Sequence, residues 1–415
     1  MVEGLKELRE AEVETMEAVR EKVTETQRRL VRGCGVVRVV EGSERQGLVA
    51  QLAMDRLFGV EGGTGDDDVE WRRGRELGLV AGLPRWRGIR EAYVKLTGDA
   101  TVGGVVSPAL SMVREANEVT SGVLSNALVN SMHKRLVRDY RRQPQTWRKF
   151  CSVAALNDLK AQHRVRLYDF ASLSVVAEGA AYTNLAWGAA KEVYTPAKRG
   201  NLVTVTRETI LNDDLRAISR IPEKLARAAY VTMSEFAYGL LTTNPTMNDG
   251  TKVFDDGSQT AHGNRGTAAL SAAAVQAAMV TMMKQTTTAG KRLHLRPKFL
   301  LVPAELYFAS RVIVESEFAP GSGNNDANVL RGGLEPVAVP QFVDANDWYL
   351  LSDPAVSETV EIGFVGGREE PELLVQDLPR YGQAFTNDQI AFKVRWEFGG
   401  GWVDYRGAYW SQVTG

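Results

Sequence analysis

"QIAFKVRWEFGGGWVDYRGAYWSQ", Gln389–Gln412, decides how the end of this 415-residue chain folds. Ile390, Phe392, Val394, Trp396 and Phe398 stand at alternate positions, with Ala391, Lys393, Arg395 and Glu397 between them. That two-residue period belongs to a strand with one apolar and one polar face. Gly399–Gly401 interrupt it, and the pattern predicts a tight connection there, with a second short strand over Trp402–Tyr405. The glycines do not read as a ligand loop, because no helix N-terminus follows to hold a phosphate.

Four more strands are predicted just upstream, at Pro336–Pro340, Trp348–Ser352, Thr359–Val365 and Glu372–Val375. Before them, Phe299–Val302 reads as a buried strand leading to a helix at about Pro303, and Gly321–Asn328 as a Gly/Asn-rich loop. Ala269–Gln285 reads as a helix of small residues, and Asn244–Phe254 as a turn-rich stop to a longer helix. That long helix, Arg220–Thr243, carries Leu225, Ala229, Met233, Phe236 and Leu240 at helical spacing, with Pro222 in its first turn.

Ahead of it, "TRETILNDDLRAISRIPEKLARAAY" (Thr206–Tyr230) sets Asn212, Asp213 and Asp214 side by side. Paired catalytic carboxylates need a base, a metal or a cleft as third member, and the chain offers none. Asn and Asp are favoured at helix N-caps and complement the positive end of the helix dipole, so these three read as a cap. Residues 175–206 alternate small residues with Tyr182, Trp187 and Tyr194 and predict a two-armed hairpin. With so little apolar mass it needs a neighbour to lie on.

The N-terminal third is helical by pattern. Residues 3–32 place Leu5, Leu8, Met16, Val19, Val23 and Leu30 in a narrow stripe among charges, suited to one partner helix or a scaffold contact. "GVEGGTGDDD" (Gly59–Asp68) reads as a flexible linker ending in an exposed acidic turn, followed by short helical pieces with Trp71, Trp86 and Tyr93. Residues 109–143 are helical again. Their end carries the local basic patch of a chain whose net charge is only −1: Lys134, Arg135, Arg138, Arg141, Arg142, Arg148 and Lys149, with Tyr140 and Trp147 among them. Two readings stand open for it, a polyanion contact and a solvated or docking face.

Cys34 and Cys151 have no CxxC partner, and His133, His163, His262 and His294 show no metal-ligand spacing. Neither catalytic nor metal nor cofactor residues are assigned. No apolar run reaches membrane-spanning length and no secretion signal opens the chain, so a soluble intracellular protein without membrane contact is expected.

The order of these elements, with "AEGAAY", "ILNDDLRAISRIP", "LRPKFLLVP", "WYLLSDP" and "KVRWEFGGGWVDYRGAY", resembles the major capsid proteins of tailed bacteriophages, specifically the Mu-like head-subunit group. The resemblance implies an α+β fold: an N-terminal arm (101–165), an extended hairpin loop (166–207), a peripheral domain on the long helix (208–267 and 346–415) and an axial domain (268–345). Residues 1–100 resemble a scaffold-like helical segment. The implied function is a self-assembling shell of hexamers and pentamers around double-stranded DNA, with an encapsulin-like cargo compartment as the alternative. Implied partners are further copies of the chain, portal and scaffold or protease proteins, and packaged DNA met nonspecifically by the basic patch. Assembly would occur in the host bacterial cytoplasm and the product would be the virion. In the loop, Tyr182, Trp187, Lys191, Tyr194 and Lys198 are the expected inter-subunit contacts. Some relatives weld subunits through a loop lysine; Lys191 and Lys198 are present, but no acceptor asparagine or assisting glutamate matches, so that chemistry is not carried over.

Overall fold

A computed structural model describes residues 35–62, 68–97, 120–167, 176, 178, 189–206, 220–257, 262–287, 290–320, 326–376, 387 and 389–413. The predicted helix at 3–32, the loop aromatics Tyr182 and Trp187, and the cap Asn212, Asp213 and Asp214 lie outside those residues. The chain divides into two compact units: Met1–Arg138 with Leu202–Glu223 and Leu373–Lys393, and Asp139–Asn201 with Lys224–Glu372 and Val394–Gly415.

The first unit is mainly helical. Helix α1 (Gly35–Leu57), α2 (Val69–Glu76), α3 (Ile89–Thr97) and most of α4 (Thr120–Arg141) belong to it. Leu52, Trp71 and Leu83 form a small core with Leu48, Val49 and Val80 against it. Of the predicted linker, residues 59–62 and 68 are described. Gly59 ends α1 at φ +67°, a left-handed geometry that glycine adopts freely, and Val60 beyond it is buried. Asp68 is not an exposed acid: its carboxylate caps α2 by accepting from the amides of Glu70 and Trp71.

In the second unit, β1 (Cys151–Leu156) runs parallel to β9 (Val360–Val365), and β9 runs antiparallel to β11 (Gln389–Trp402). The five-stranded sheet they start has the order β1-β9-β11-β10, with β10 at Glu372–Gln376 and β4 (Ala197–Thr206) also on β11. From Phe392 onward the alternation along β11 is as expected, with Phe392, Val394, Trp396 and Phe398 buried and Lys393 exposed, but at its start Ile390 is only half-buried while Ala391 is buried.

The glycine triplet, however, does not break the strand. β11 passes through it, pairing Gly399 with Gly363, Gly400 with Ile362 and Gly401 with Glu361. The reason is close approach. A methyl group on Gly399 would lie 2.5 Å from the Pro196 Cα, one on Gly400 2.6 Å from the Glu361 carbonyl, and one on Gly401 3.0 Å from the Tyr194 Cβ. Of the predicted strand at Trp402–Tyr405 only Trp402 is strand, as the end of β11; residues 403–405 bend, and β12 forms later, at Ala408–Ser411.

A second five-stranded sheet has the order β5-β12-β8-β6-β7, with β5 at Arg265–Gly266, β6 at Pro297–Val302, β7 at Glu335–Ala338 and β8 at Trp348–Ser352. β6 and β7 are parallel, joined through α7 (Tyr307–Glu315), and α6 (Ala272–Met283) supplies Val275, Ala278 and Met282 to the same core. Ser271 caps α6. Leu300, Val302, Trp348 and Leu350 complete that core from the strands.

The long helix α5 spans Ile221–Thr242 as predicted. Its buried apolar positions include Ala226, Ala229, Met233, Ala237, Tyr238 and Leu241. Ala229 and Met233 are as predicted, while Ala226, Ala237 and Leu241 lie one residue on from Leu225, Phe236 and Leu240, which are only partly covered.

The first arm of the expected hairpin lies largely outside the described residues. β3 (Ala189–Tyr194) pairs with β2 (Gln162–Leu167), which precedes the predicted hairpin, while β4 joins β11. β2 and β3 form a two-stranded ribbon of their own.

Candidate functional site

The ribbon has two unlike faces. Its register sets Gln162 opposite Tyr194 and Arg164 opposite Glu192 on one face, and His163 opposite Val193 and Val165 opposite Lys191 on the other. The second face is open: Val165 is 59% exposed and Val193 48%, and His163 and Lys191 are exposed beside them. Lys198, at the start of β4, is exposed too.

The first face is clamped to the second unit's own sheet. Arg164 Nε lies 2.5 Å from Glu361 Oε1 on β9, and an Arg164 terminal N–H donates to Tyr194 Oη at 3.3 Å. The Tyr194 hydroxyl donates to the same Glu361 oxygen. Burial pushes the Tyr194 phenol above its usual range and its bond to the carboxylate adds to this. Burial alone would lower the Arg164 guanidinium, but Glu361 and Tyr194 outweigh it and hold its pKa above the ordinary value. Glu192 accepts from the Asn248 amide at 3.2 Å, giving the inner face a second tether. One buried carboxylate thus fixes both arms at their root while the outer face is left to solvent.

The basic stretch is mostly spoken for. Lys134 Nζ is within 3.0 Å of Asp55 and of Asp68 and 2.6 Å of Glu70. Arg135 donates to the Phe58 carbonyl at 2.6 Å and pairs with Glu223 at 3.3 Å, and Arg138 donates to the Gly59 carbonyl. In the second unit Arg141 meets Glu370 at 2.9 Å, Arg148 meets Glu369 at 2.6 Å, and Lys149 meets Glu335. Arg142 is exposed. Tyr140 and Trp147, read as interleaved aromatics, are core residues; Tyr140 packs edge-on to Trp396 at 5.3 Å and Trp147 faces Phe364 at 6.3 Å.

Sequence reading missed two key acids. Glu361 sits in "VEIGFV", where a lone Glu in an apolar strand was the available signal. Asp55 lies unmarked in "AMDRL" of α1, and its role depends on residues nearly eighty positions away.

No group of His, Cys, Asp or Glu among the described residues is placed to hold a metal ion. His262 is buried, with Nε2 2.8 Å from Asp249 and Nδ1 2.8 Å from the Lys252 carbonyl, and its ring stacks on Tyr405 at 3.4 Å. Burial pushes the Cys151 thiol well above its usual range, so it is a poor nucleophile. Among the described residues, no helix is long and apolar enough to cross a membrane. The described geometry offers a rooted ribbon whose open face sets Val165 and Val193 beside His163 and Lys191.

A family model described as phage capsid protein matches residues 190–411, just over half of the chain. Among solved structures, the chain is similar to the capsid of the cyanophage P-SCSP1u at 11% identity, over 65% of this chain and 88% of that one, with a TM-score of 0.46. It is similar to the capsid of an empty GTA particle at 12% identity, over 66% and 91% of the two chains, with a TM-score of 0.46. A third likeness is to the capsid of bacteriophage JBD30 decorated with minor capsid protein trimers, at 15% identity, 48% and 91% coverage and a TM-score of 0.40. No curated protein matches the chain.

Proposed function

Because this chain belongs to the phage capsid protein family, and is thus a major capsid shell protein and a virion component, we propose that its copies join as hexamers and pentamers into an icosahedral head enclosing double-stranded DNA. The observation that carries this reading is the β2–β3 ribbon, which buries its root on Glu361 and presents Val165 and Val193 outward. A two-stranded ribbon is marginal alone in water, so a neighbouring copy that covers this face supplies what the subunit lacks. Contacts between copies in such a lattice are heterologous, each copy giving one patch and receiving another.

The finer organisation follows the tailed-phage capsid arrangement. An arm (101–165) and an extended loop (166–207), whose ribbon starts a few residues earlier at Gln162, reach to neighbours. A peripheral domain (208–267, 346–415) and an axial domain (268–345) form the body. Lys191 and Lys198, with Tyr182 and Trp187, belong to the reaching part; Tyr194 instead belongs to its root. Contact with packaged DNA or scaffold falls to Arg141, Arg142, Arg148 and Lys149. Arg142 is exposed, and the partners of the other three are exposed or half-buried acids; such pairs are worth only about 0–1 kcal/mol, so phosphates can displace them. Portal and scaffold or protease proteins join during assembly in the host cytoplasm, and the role is structural rather than catalytic. The cargo-compartment alternative draws no support from the family match.

The test is to produce the chain alone and examine it by negative-stain microscopy and light scattering. Closed shells, tubes or capsomer rings are expected. A monomer or dimer at every concentration, unchanged by adding the phage's portal and protease, would overturn the reading.

A further inference from the structure

We infer that α1 and α2 are the permanent partner of α4, locked to it by a buried carboxylate grip on Lys134, so that the segment 35–76 stays with the subunit even when the chain is severed between Thr97 and Thr120. The basic run that begins at Lys134 is then, in its first half, an internal clasp and not a surface for DNA or a separate scaffold.

Asp55 is the centre of the grip and has no solvent exposure. Its Oδ1 accepts from Gln51 Nε2 at 2.9 Å and from the Ser131 hydroxyl at 2.5 Å. Its Oδ2 accepts from Trp71 Nε1 at 2.9 Å and Lys134 Nζ at 3.0 Å. Four donors from three helices thus fill one carboxylate, which satisfies a buried charge about as fully as side chains can. Lys134 answers with three carboxylates: Asp55 on α1, the α2 cap Asp68 and Glu70 in the first turn of α2. Burial alone would lower the Lys134 pKa, but Asp55 and then Glu70 and Asp68 outweigh that and hold it above the ordinary value. One residue therefore locks the cap of α2 and the body of α1 to α4.

The same face of α4 continues the lock. Ser131, Lys134, Arg135 and Arg138 recur at three- and four-residue steps, which puts them on one side of a helix. Arg135 and Arg138 donate to the carbonyls of Phe58 and Gly59, at the C-terminal end of α1, where a cation also meets the negative end of the helix dipole. Met132 and Leu136 on α4 are buried, as are Leu52 and Met54 on α1. A polyanion is a poor competitor for this surface, since three carboxylates already surround its lysine. Cutting the backbone removes none of these contacts, while truncating Lys134 leaves the fully buried Asp55 carboxylate without its cation, the costlier change.

The inference stands apart from the shell reading and can fail separately. A protease recognition sequence is placed in the full chain between Thr97 and Thr120, and the cut protein is passed over a sizing column at physiological salt. The 1–97 piece is expected to co-elute with the remainder one to one; its release as a separate peak would overturn the inference. If that site resists cutting, hydrogen exchange on the uncut chain decides. Asp55→Asn, Lys134→Met and the double variant should each speed exchange of both α1 and α4 amides at least tenfold, the double no more than the worse single. Effects confined to one helix, or multiplying independently in the double variant, would overturn it.

Discussion

The β6–β8 pair and the β2–β3 ribbon are both short antiparallel pairings in the same unit, and they are opposites in what they bury. Every residue of β8 is buried and five of six in β6, while the outer face of the ribbon is solvent-exposed along its described length. Apolar burial at roughly 25 cal/mol per Å² makes the first pair a source of fold stability. The second contributes little to the subunit, and under the proposed function its outer face is what a neighbouring copy covers. On that proposal stability and assembly fall to different strands, and substitutions should separate them.

The largest loss is expected at β8. Trp348→Ala empties a fully buried site, and chemical denaturation should show a loss of about 3–5 kcal/mol. Next is the strand crossing: Gly400→Ala forces a methyl against the Glu361 carbonyl and the Phe236 ring, for a cost of roughly 1–3 kcal/mol in the same assay. Wild-type stability there would mean the strands are farther apart than described.

Glu361→Gln removes the charge that roots the ribbon and should cost about 1–3 kcal/mol. Its signature is local: amides of β2 and β3 exchange faster while those of β6 and β8 do not.

At the sheet's rim, burial alone would raise the Glu372 carboxyl, but hydrogen bonds from Arg395 and Arg368 outweigh it and hold the group below its ordinary value. A depressed carboxyl contributes stability above its unfolded pKa of about 4.3 and loses it as pH falls through the folded value. The gap between wild type and Glu372→Gln, no more than about 1 kcal/mol, should therefore be present at neutral pH and close in acid. A gap that widens in acid would contradict the pairing.

The smallest effect on the subunit is expected from Val165→Glu with Val193→Glu, within about 0.5 kcal/mol for exposed positions. The same double variant should nevertheless abolish shells under the microscope. Normal shells would break the division between the two pairings.

Much of this was legible in the sequence because it is local. The period of two in β11, the small-residue helix α6 and the proline at the head of α5 each announce themselves within one turn or strand. What escaped depends on distant partners. Gly399–Gly401 read as a break because a glycine's meaning here is set by Pro196, Glu361 and Tyr194, which approach from elsewhere. β2, "QHRVRL", carries too few apolar residues to advertise a strand, since its inner face is held by charge. The buried face of α5 is turned slightly from the predicted stripe, through Ala226, Met233, Ala237, Tyr238 and Leu241, with Leu225 and Phe236 at its edge. Which side of a helix meets the core is set by distant elements that spacing along the helix does not show. The basic stretch looked like a surface because composition counts charges without showing which acids answer them.

The two units share the chain in an unusual way. It crosses between them at Arg138–Asp139, Asn201–Leu202, Glu223–Lys224, Glu372–Leu373 and Lys393–Val394. Each crossing falls inside α4, β4, α5, β10 or β11, and none in a loop. A gene cut into pieces at these points would sever a helix or strand every time and strand its backbone donors and acceptors. For engineering, this rules out swapping one unit between relatives as a cassette. Foreign peptides belong at turns inside a unit, and recombinants between capsid genes that keep both halves of each shared element should be the ones that survive.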